Sequence, residues 1–298
     1  MDYINILQEI LTYIDKNIRE KLSVEKLAVR AGFSPYHFCR VFQCGVGYPL
    51  IEYVRKRRLA FAACDLASGK LIIDIAFEYG YETHTGFIKA FRSHFGCTPE
   101  NYRRQSSYDT PKLPVLSHTK KFVNGGVILT PKFIRKPAIK IAGFPIKTNT
   151  ANGENLSKIP GFWQSCIDDG RLEKLKGEDF AKNNNEYGAC FPENPENGDF
   201  EYIIGVEIKD GYFIPNEYHV CTIPEALYAI FTTPPIDDKN FVSSVHGTYQ
   251  YIFLEWFPDS GYEFMNDGVD FELYDERSQG MTGKMMDIYV PIIQKKES

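Results

Sequence analysis

The sequence is poor in the features that announce export, membrane insertion or catalysis. Its seven cysteines, at 39, 44, 64, 97, 166, 190 and 221, form no Cys-x-x-Cys pair and are odd in number. That gives no sign of a disulfide framework and fits reduced thiols in a cytoplasmic protein best. Cys39 and Cys44 near His37 lack the spacing and further ligands of a helical metal site, so no metal is expected. No apolar run approaches the roughly 18 residues that span a bilayer, and no secretory leader is present, so no membrane association is expected. Glycine-rich phosphate loops, nucleophile elbows and zinc signatures are missing as well, and neither a cofactor nor an enzymatic activity is expected.

Strong charge of one sign is also lacking, since 34 Lys and Arg stand against 39 Asp and Glu. The imbalance is unevenly placed. Residues 1–105 hold 15 basic and 11 acidic side chains, a net of +4, and residues 106–298 hold 19 and 28, a net of −9. Cations are therefore concentrated where a polyanion would bind, and the acidic half would restrain non-specific association with a duplex.

What is present is a duplication. Leu27-Ala28-Val29-Arg30-Ala31-Gly32-Phe33 with Phe38-Cys39-Arg40-Val41-Phe42 returns as Ile75-Ala76-Phe77-Glu78-Tyr79-Gly80-Tyr81 with Phe87-Ile88-Lys89-Ala90-Phe91. Each copy predicts a helix broken by a glycine that can take positive φ, then a second helix with apolar positions one turn apart. Ser34 and Thr83 are suited to cap the second helices, and Pro35 suits a first helical position. With Phe38 and Phe42, or Phe87 and Phe91, turned to the core, residues 36, 37, 39 and 40, and 84 to 86, 88 and 89, are expected on other faces. Between the copies, Pro49 to Ala67 reads as one long helix with Arg55, Lys56, Arg57 and Arg58 outward and Ile51, Val54, Leu59, Ala62 and Leu66 inward.

Residues 6–105 resemble the DNA-binding domain of the AraC/XylS family of transcription regulators. The segment Ala90-Phe91-Arg92-Ser93-His94-Phe95-Gly96-Cys97-Thr98-Pro99-Glu100-Asn101-Tyr102-Arg103-Arg104 matches that family's signature almost throughout. The resemblance implies two recognition helices, Pro35 to Gln43 and His84 to Phe95, entering successive major grooves of double-stranded DNA. Candidate DNA contacts are Ser34, Tyr36, His37, Cys39 and Arg40 in the first unit and Thr83, His84, Thr85, Lys89 and Arg92 in the second. Arg40 suits guanine O6 and N7, the alternative being a phosphate contact or a surface ion pair. Lys89 suits a phosphate, and His37 and His84 read equally as polar surface. Cys39 departs from the longer polar residue that the family carries there, so no operator is carried over.

The polar, proline-bearing stretch Ser106 to Pro114 begins a linker placed at 106–127, and an α+β domain is expected over 128–298. Its elements fall into two strand-helix-strand-strand halves. Ala138 to Ile146, Pro160 to Leu175, Tyr187 to Phe191 and Tyr202 to Ile208 make the first. Strand signals over Tyr218 to Thr232, interrupted at Pro224, a helix over Val242 to Phe257, and Phe271 to Tyr274 pairing with Met286 to Ile293 make the second.

That order, with Phe253-Leu254-Glu255-Trp256-Phe257-Pro258-Asp259-Ser260-Gly261-Tyr262-Glu263 leading to Asp270-Phe271-Glu272-Leu273-Tyr274, resembles the GyrI-like small-molecule-binding domain. The resemblance implies an apolar or cationic effector, with Glu272 as pocket carboxylate and Tyr202, Tyr228, Trp256 and Trp163 as aromatic walls. Strand alternation alone leaves Glu272 equally able to face water, and the aromatic residues could simply fill cores. The chain is thus expected to be a cytoplasmic, ligand-responsive regulator, by family analogy an activator, partnered by DNA, a small molecule and RNA polymerase. The alternatives are a hydrolase using Glu255 with Glu272 as acid and base, or a module that sequesters drugs or binds a protein.

Overall fold

The computed structural model describes residues 3–105, 111–116, 128–194 and 197–295. The first part is helical: α1 (Tyr3–Lys16), α2 (Val24–Ala31), α3 (Pro35–Val46), α4 (Leu50–Asp65), α5 (Ile72–Glu78), α6 (His84–Phe95) and α7 (Pro99–Gln105). The duplicated pattern becomes two helix-turn-helix units, α2 with α3 and α5 with α6. Gly32 and Gly80 make the turns at φ 75° and 77°, a conformation that costs a residue with a Cβ. Ser34 Oγ accepts from the His37 N–H and Thr83 Oγ1 from the Gly86 N–H, each meeting an orphan donor of the helix that follows.

The basic run on α4 is not uniformly outward. Arg57 lies one turn beyond buried Tyr53, on the same face, and meets Asp15 of α1: its Nε donates to Oδ1 at 2.8 Å. Ile51, expected inward, is half exposed. Within the expected linker, 106–110 and 117–127 lie outside the described residues. The remainder runs along α1 and α4, with Gln8 Nε2 donating to the Pro114 carbonyl at 3.1 Å and Arg57 Nη1 to that of Lys112 at 3.0 Å.

The second part is α+β. Its strands are β1 (Lys132–Lys136), β2 (Ile139–Asn149), β3 (Glu186–Asn194), β4 (Asp199–Glu207), β5 (His219–Ile223), β6 (Ala226–Thr232), β7 (Tyr262–Phe264), β8 (Asp270–Tyr274) and β9 (Asp287–Gln294). They form one antiparallel sheet in the order β1-β6-β9-β8-β3-β4-β2-β5, with β7 also on β9. Helices α8 (Asn155–Asp168) and α9 (Arg171–Lys176) belong to the first half. In the second, α10 (Phe241–Tyr251) runs through a π-helical turn, Ile252–Trp256, into α11 (Phe257–Asp259). The single helix expected over Pro160 to Leu175 is two, because Gly170 at φ 75° breaks it, and Pro160 sits inside α8 rather than opening it.

Strand β8 positions the candidate site. It lies near the middle of the sheet, between β3 and β9, with Gly188 opposite Glu272 and Ile288 on the other side. Phe271 and Leu273 join Tyr187 and Tyr228 in a core on one face, while Asp270 and Glu272 point to the face that carries the helices. Burying carboxylates in mid-sheet is costly unless each is hydrogen-bonded.

Candidate nucleic-acid interface and effector chamber

The second unit presents its expected contact residues openly. Thr83, His84, Thr85, Lys89 and Arg92 are all exposed on or before α6, while Phe87 and Phe91 are fully buried beneath them. Spaced along one short helix, they can meet bases and phosphates of a single groove.

The first unit does not. Residues 36, 37, 39 and 40 were expected to face outward, but α3 is packed against the α+β part and its outer face is covered. Tyr36 is 4% exposed, His37 1% and Cys39 0%. Tyr36 packs at a tilt on Phe200, ring centroids 5.1 Å apart, and joins the core under α8 and α9. His37 lies among Phe33, Phe253 and Phe264, with Tyr3 Oη 3.4 Å from its Nε2. Burial and the nearby Arg40 charge hold the His37 imidazole down to about 3, so it is neutral. Cys39 sits over Gly198 beside Thr150, and the half-buried Ser34 takes Asn266 Oδ1 on its backbone N–H at 3.3 Å. The physical reason is that this outer face is itself apolar and aromatic, with one cation, and a matching acid waits across the interface.

That acid is Asp270. Arg40 Nη1 donates to its Oδ2 and, at 2.8 Å, to Tyr36 Oη, which in turn donates to Asp270 Oδ1 at 3.3 Å. The guanidinium lies over the Tyr249 ring, 4.3 Å from its centroid, with Phe253 at 5.4 Å. Burial opposes the charge on Arg40, but Asp270, Tyr36 and Tyr249 outweigh it, and the guanidinium stays charged.

Glu272, two residues along β8, is held differently. Tyr202 and Tyr274 donate to its Oε2 at 2.7 and 3.1 Å, and the Tyr249 hydroxyl is 3.3 Å from Oε1 and 3.4 Å from Asp270 Oδ2. Trp163 Nε1 donates to Tyr202 Oη at 2.9 Å, and its ring lies 4.6 Å from that of Tyr274. Burial raises the Glu272 carboxyl above its ordinary range, against the pull of Tyr202 and Tyr274. The result is a chamber filled by side chains, a proton-hungry carboxylate with aromatic rings packed around it, chemistry suited to a desolvated cation.

Of the residues expected to line this chamber, Glu272, Tyr202 and Trp163 come together. Tyr228 does not: it is on the opposite face, its ring 5.3 Å from Phe271 and its hydroxyl donating to the Val269 carbonyl at 3.2 Å. Trp256 packs with Phe231, Phe133 and Tyr262. The residues missed were Tyr249, Tyr274, Asp270 and Tyr36. Asp270 and Tyr274 could have been found from the period of two that places them on the Glu272 face.

Residues 132–292 match the family described as Cass2, integron-associated effector binding protein, and residues 27–105 a helix-turn-helix domain family. The HTH-type transcriptional activator AarP of Providencia stuartii is 39% identical over 100 residues, 33% of this chain and 74% of AarP. The transcriptional regulator Rob of Salmonella typhimurium is 33% identical over 109 residues, 36% of this chain but only 38% of Rob, so most of that relative's length is unmatched. The structure of SAV2435 bound to tetraphenylphosphonium covers 55% of this chain and 94% of that one at 20% identity, with a TM-score of 0.46. The chain thus belongs to the AraC-type family of helix-turn-helix transcription regulators through residues 27–105 and to the integron-associated, GyrI-like effector binding proteins through residues 132–292.

Proposed function

We propose that this chain reads DNA with residues 1–105 and senses an apolar or cationic small molecule with residues 128–298, joined through 106–127, to regulate transcription. The observation that carries the reading is a buried carboxylate, Glu272, ringed by Tyr202, Tyr249 and Tyr274, on the same chain as an exposed recognition helix, α6. An aromatic frame around the buried acids Asp270 and Glu272 selects charge and flatness rather than a detailed shape, which suits a sensor of a chemical class. DNA contact is assigned to Thr83, His84, Thr85, Lys89 and Arg92, and to Ser34, Tyr36, His37, Cys39 and Arg40 when α3 is free. Activation of transcription fits the name that AarP carries, and RNA polymerase is the partner this reading gives it.

The hydrolytic alternative pairs Glu255 with Glu272. Burial raises the Tyr251 hydroxyl and the Glu255 charge adds to it, while that hydroxyl donates to the Leu129 carbonyl at 3.1 Å, and the hydroxyls on Glu272 come from Tyr202, Tyr249 and Tyr274. The test is footprinting of the purified chain on DNA flanking its own gene, with calorimetry of a lipophilic cation such as tetraphenylphosphonium. Protection of a discrete site and saturable, Glu272-dependent binding are expected. Turnover of a bound compound, lost in Glu272→Gln, would favour the enzyme.

A further inference from the structure

The two acids of the chamber are not served alike. Glu272 receives hydroxyls, but Asp270 receives a full positive charge, and that charge comes from α3, the helix assigned to the first major groove. Tyr36 and Arg40 lie one turn apart on α3 and enter together, Tyr36 against Phe200 and Arg40 over Tyr249. Gln250 Nε2 of α10 secures the same helix by donating to the Cys44 carbonyl at 3.1 Å. The seated helix leaves no entry for a ligand: Asp270 is fully buried, and Glu272 and Tyr249 are each 8% exposed.

We propose that this chamber is a receptor for a flat guanidinium- or amidinium-type cation, that Arg40 of the chain's own recognition helix occupies it, and that a ligand binding at Asp270 and Glu272 expels Arg40 and Tyr36 and frees α3 for DNA. The inference rests on the reading of the chamber as a cation site and goes beyond it in naming the ligand class and the competitor. The resident group defines the ligand: a planar cation whose N–H donates to a carboxylate and a phenol oxygen while its flat face lies over a tyrosine ring.

Competition with DNA is built into the same atoms. Guanidinium N–H groups bound to Asp270 cannot bond guanine O6 and N7, so docking of α3 and use of Arg40 in a groove exclude each other. Meanwhile α6 remains open. The ligand-free chain therefore holds DNA through one helix-turn-helix unit, and the ligand adds the other.

The experiment is hydroxyl-radical footprinting on a duplex selected by the full chain from a random pool in the presence of benzamidinium. Benzamidinium is expected to lengthen the footprint by one helical turn, about 10 base pairs, and to tighten binding at least tenfold, while neutral benzamide does neither. Asp270→Asn, which strands Arg40, gives the long footprint without any probe. Glu272→Gln, which leaves the Arg40 pair intact, keeps the short footprint and loses the response. Arg40→Met, which vacates the chamber, binds benzamidinium at least tenfold tighter than wild type. Should Asp270→Asn fail to fold, the wild-type comparison decides alone. A wild-type footprint unchanged by benzamidinium that nonetheless binds in a Glu272-dependent way overturns the competition but leaves the cation site standing. Absence of saturable binding to both wild type and Arg40→Met sinks the cation site itself, and the proposal with it.

Discussion

The imidazole of His37 lies flat on the ring of Phe264, centroids 4.3 Å apart and planes within 4°. This contact joins α3 to β7, and burial beside the Arg40 charge keeps the ring neutral. His37 titrates at about 3 while α3 is seated and near 6.5 once it is exposed. The depressed value means that docking is fully supported above about pH 6.5 and is lost progressively as pH falls toward 3, by about 1.4 kcal/mol per unit. His37→Phe, which also removes an Nδ1 with no hydrogen-bond partner among the described residues, is expected to flatten that dependence. Thermal melts of both proteins between pH 4 and 7 check it, with a difference that widens on acidification.

Glu272 titrates in the opposite sense. Its folded pKa is raised by burial, so the charged form costs stability at neutral pH and protonation relieves that cost as pH falls through the raised value toward about 4.5. Glu272→Gln is expected to melt higher than wild type at pH 8, by an increment that vanishes near pH 4. The same substitution is expected to weaken binding of a lipophilic cation at least tenfold. A variant that gains stability while losing ligand is the signature of a strained binding group.

How much of this was legible in the sequence differs by element. The paired helices were, because Gly32, Gly80, Ser34 and Thr83 specify local geometry that tertiary contacts only reinforce. Most of the order of strands and helices after residue 138 was also legible, since alternation and the break at Pro224 survive burial, but the three-residue β7 and the division of α8 from α9 were not. Strand β1 was not: four of its five residues are exposed, so no apolar alternation marks it. The fate of α3 was hidden for a different reason. A helix face carrying Tyr36, His37, Cys39 and Arg40 is as compatible with a DNA groove as with an aromatic cleft, and only the partner surface decides. Glu272 was found through resemblance, whereas Asp270, its neighbour on the same face, has significance only with Arg40 in view.

Arg57 forms a buried fork-to-carboxylate pair with Asp15 and also donates to the carbonyls of Lys112 and Pro111, at 3.0 and 3.3 Å. Removing one partner leaves the other charge stranded, at a cost of about 3 kcal/mol. Arg57→Ala is expected to lower the unfolding free energy of the helical part by that amount, read from the denaturant midpoint and slope. Arg57→Lys recovers only part of it, because a single ammonium cannot reproduce the fork.

Lys89 stands exposed on α6. As a phosphate contact it contributes through counterion release rather than sequence. Lys89→Ala is expected to reduce the slope of log affinity against log salt by about 0.9 while leaving the preferred sequence unchanged. Anisotropy titrations between low and moderate salt check it.

The central claim is that Arg40 is held by Asp270 when the chamber lacks a ligand, so that DNA and cation both favour a released α3. Linkage then requires each to strengthen the other by the same factor. The direct measurement is calorimetric titration of benzamidinium into the full chain, alone and saturated with its selected duplex. The account predicts affinity at least tenfold higher on DNA, matching the gain in DNA affinity that benzamidinium produces. Equal or weaker affinity on DNA would contradict it.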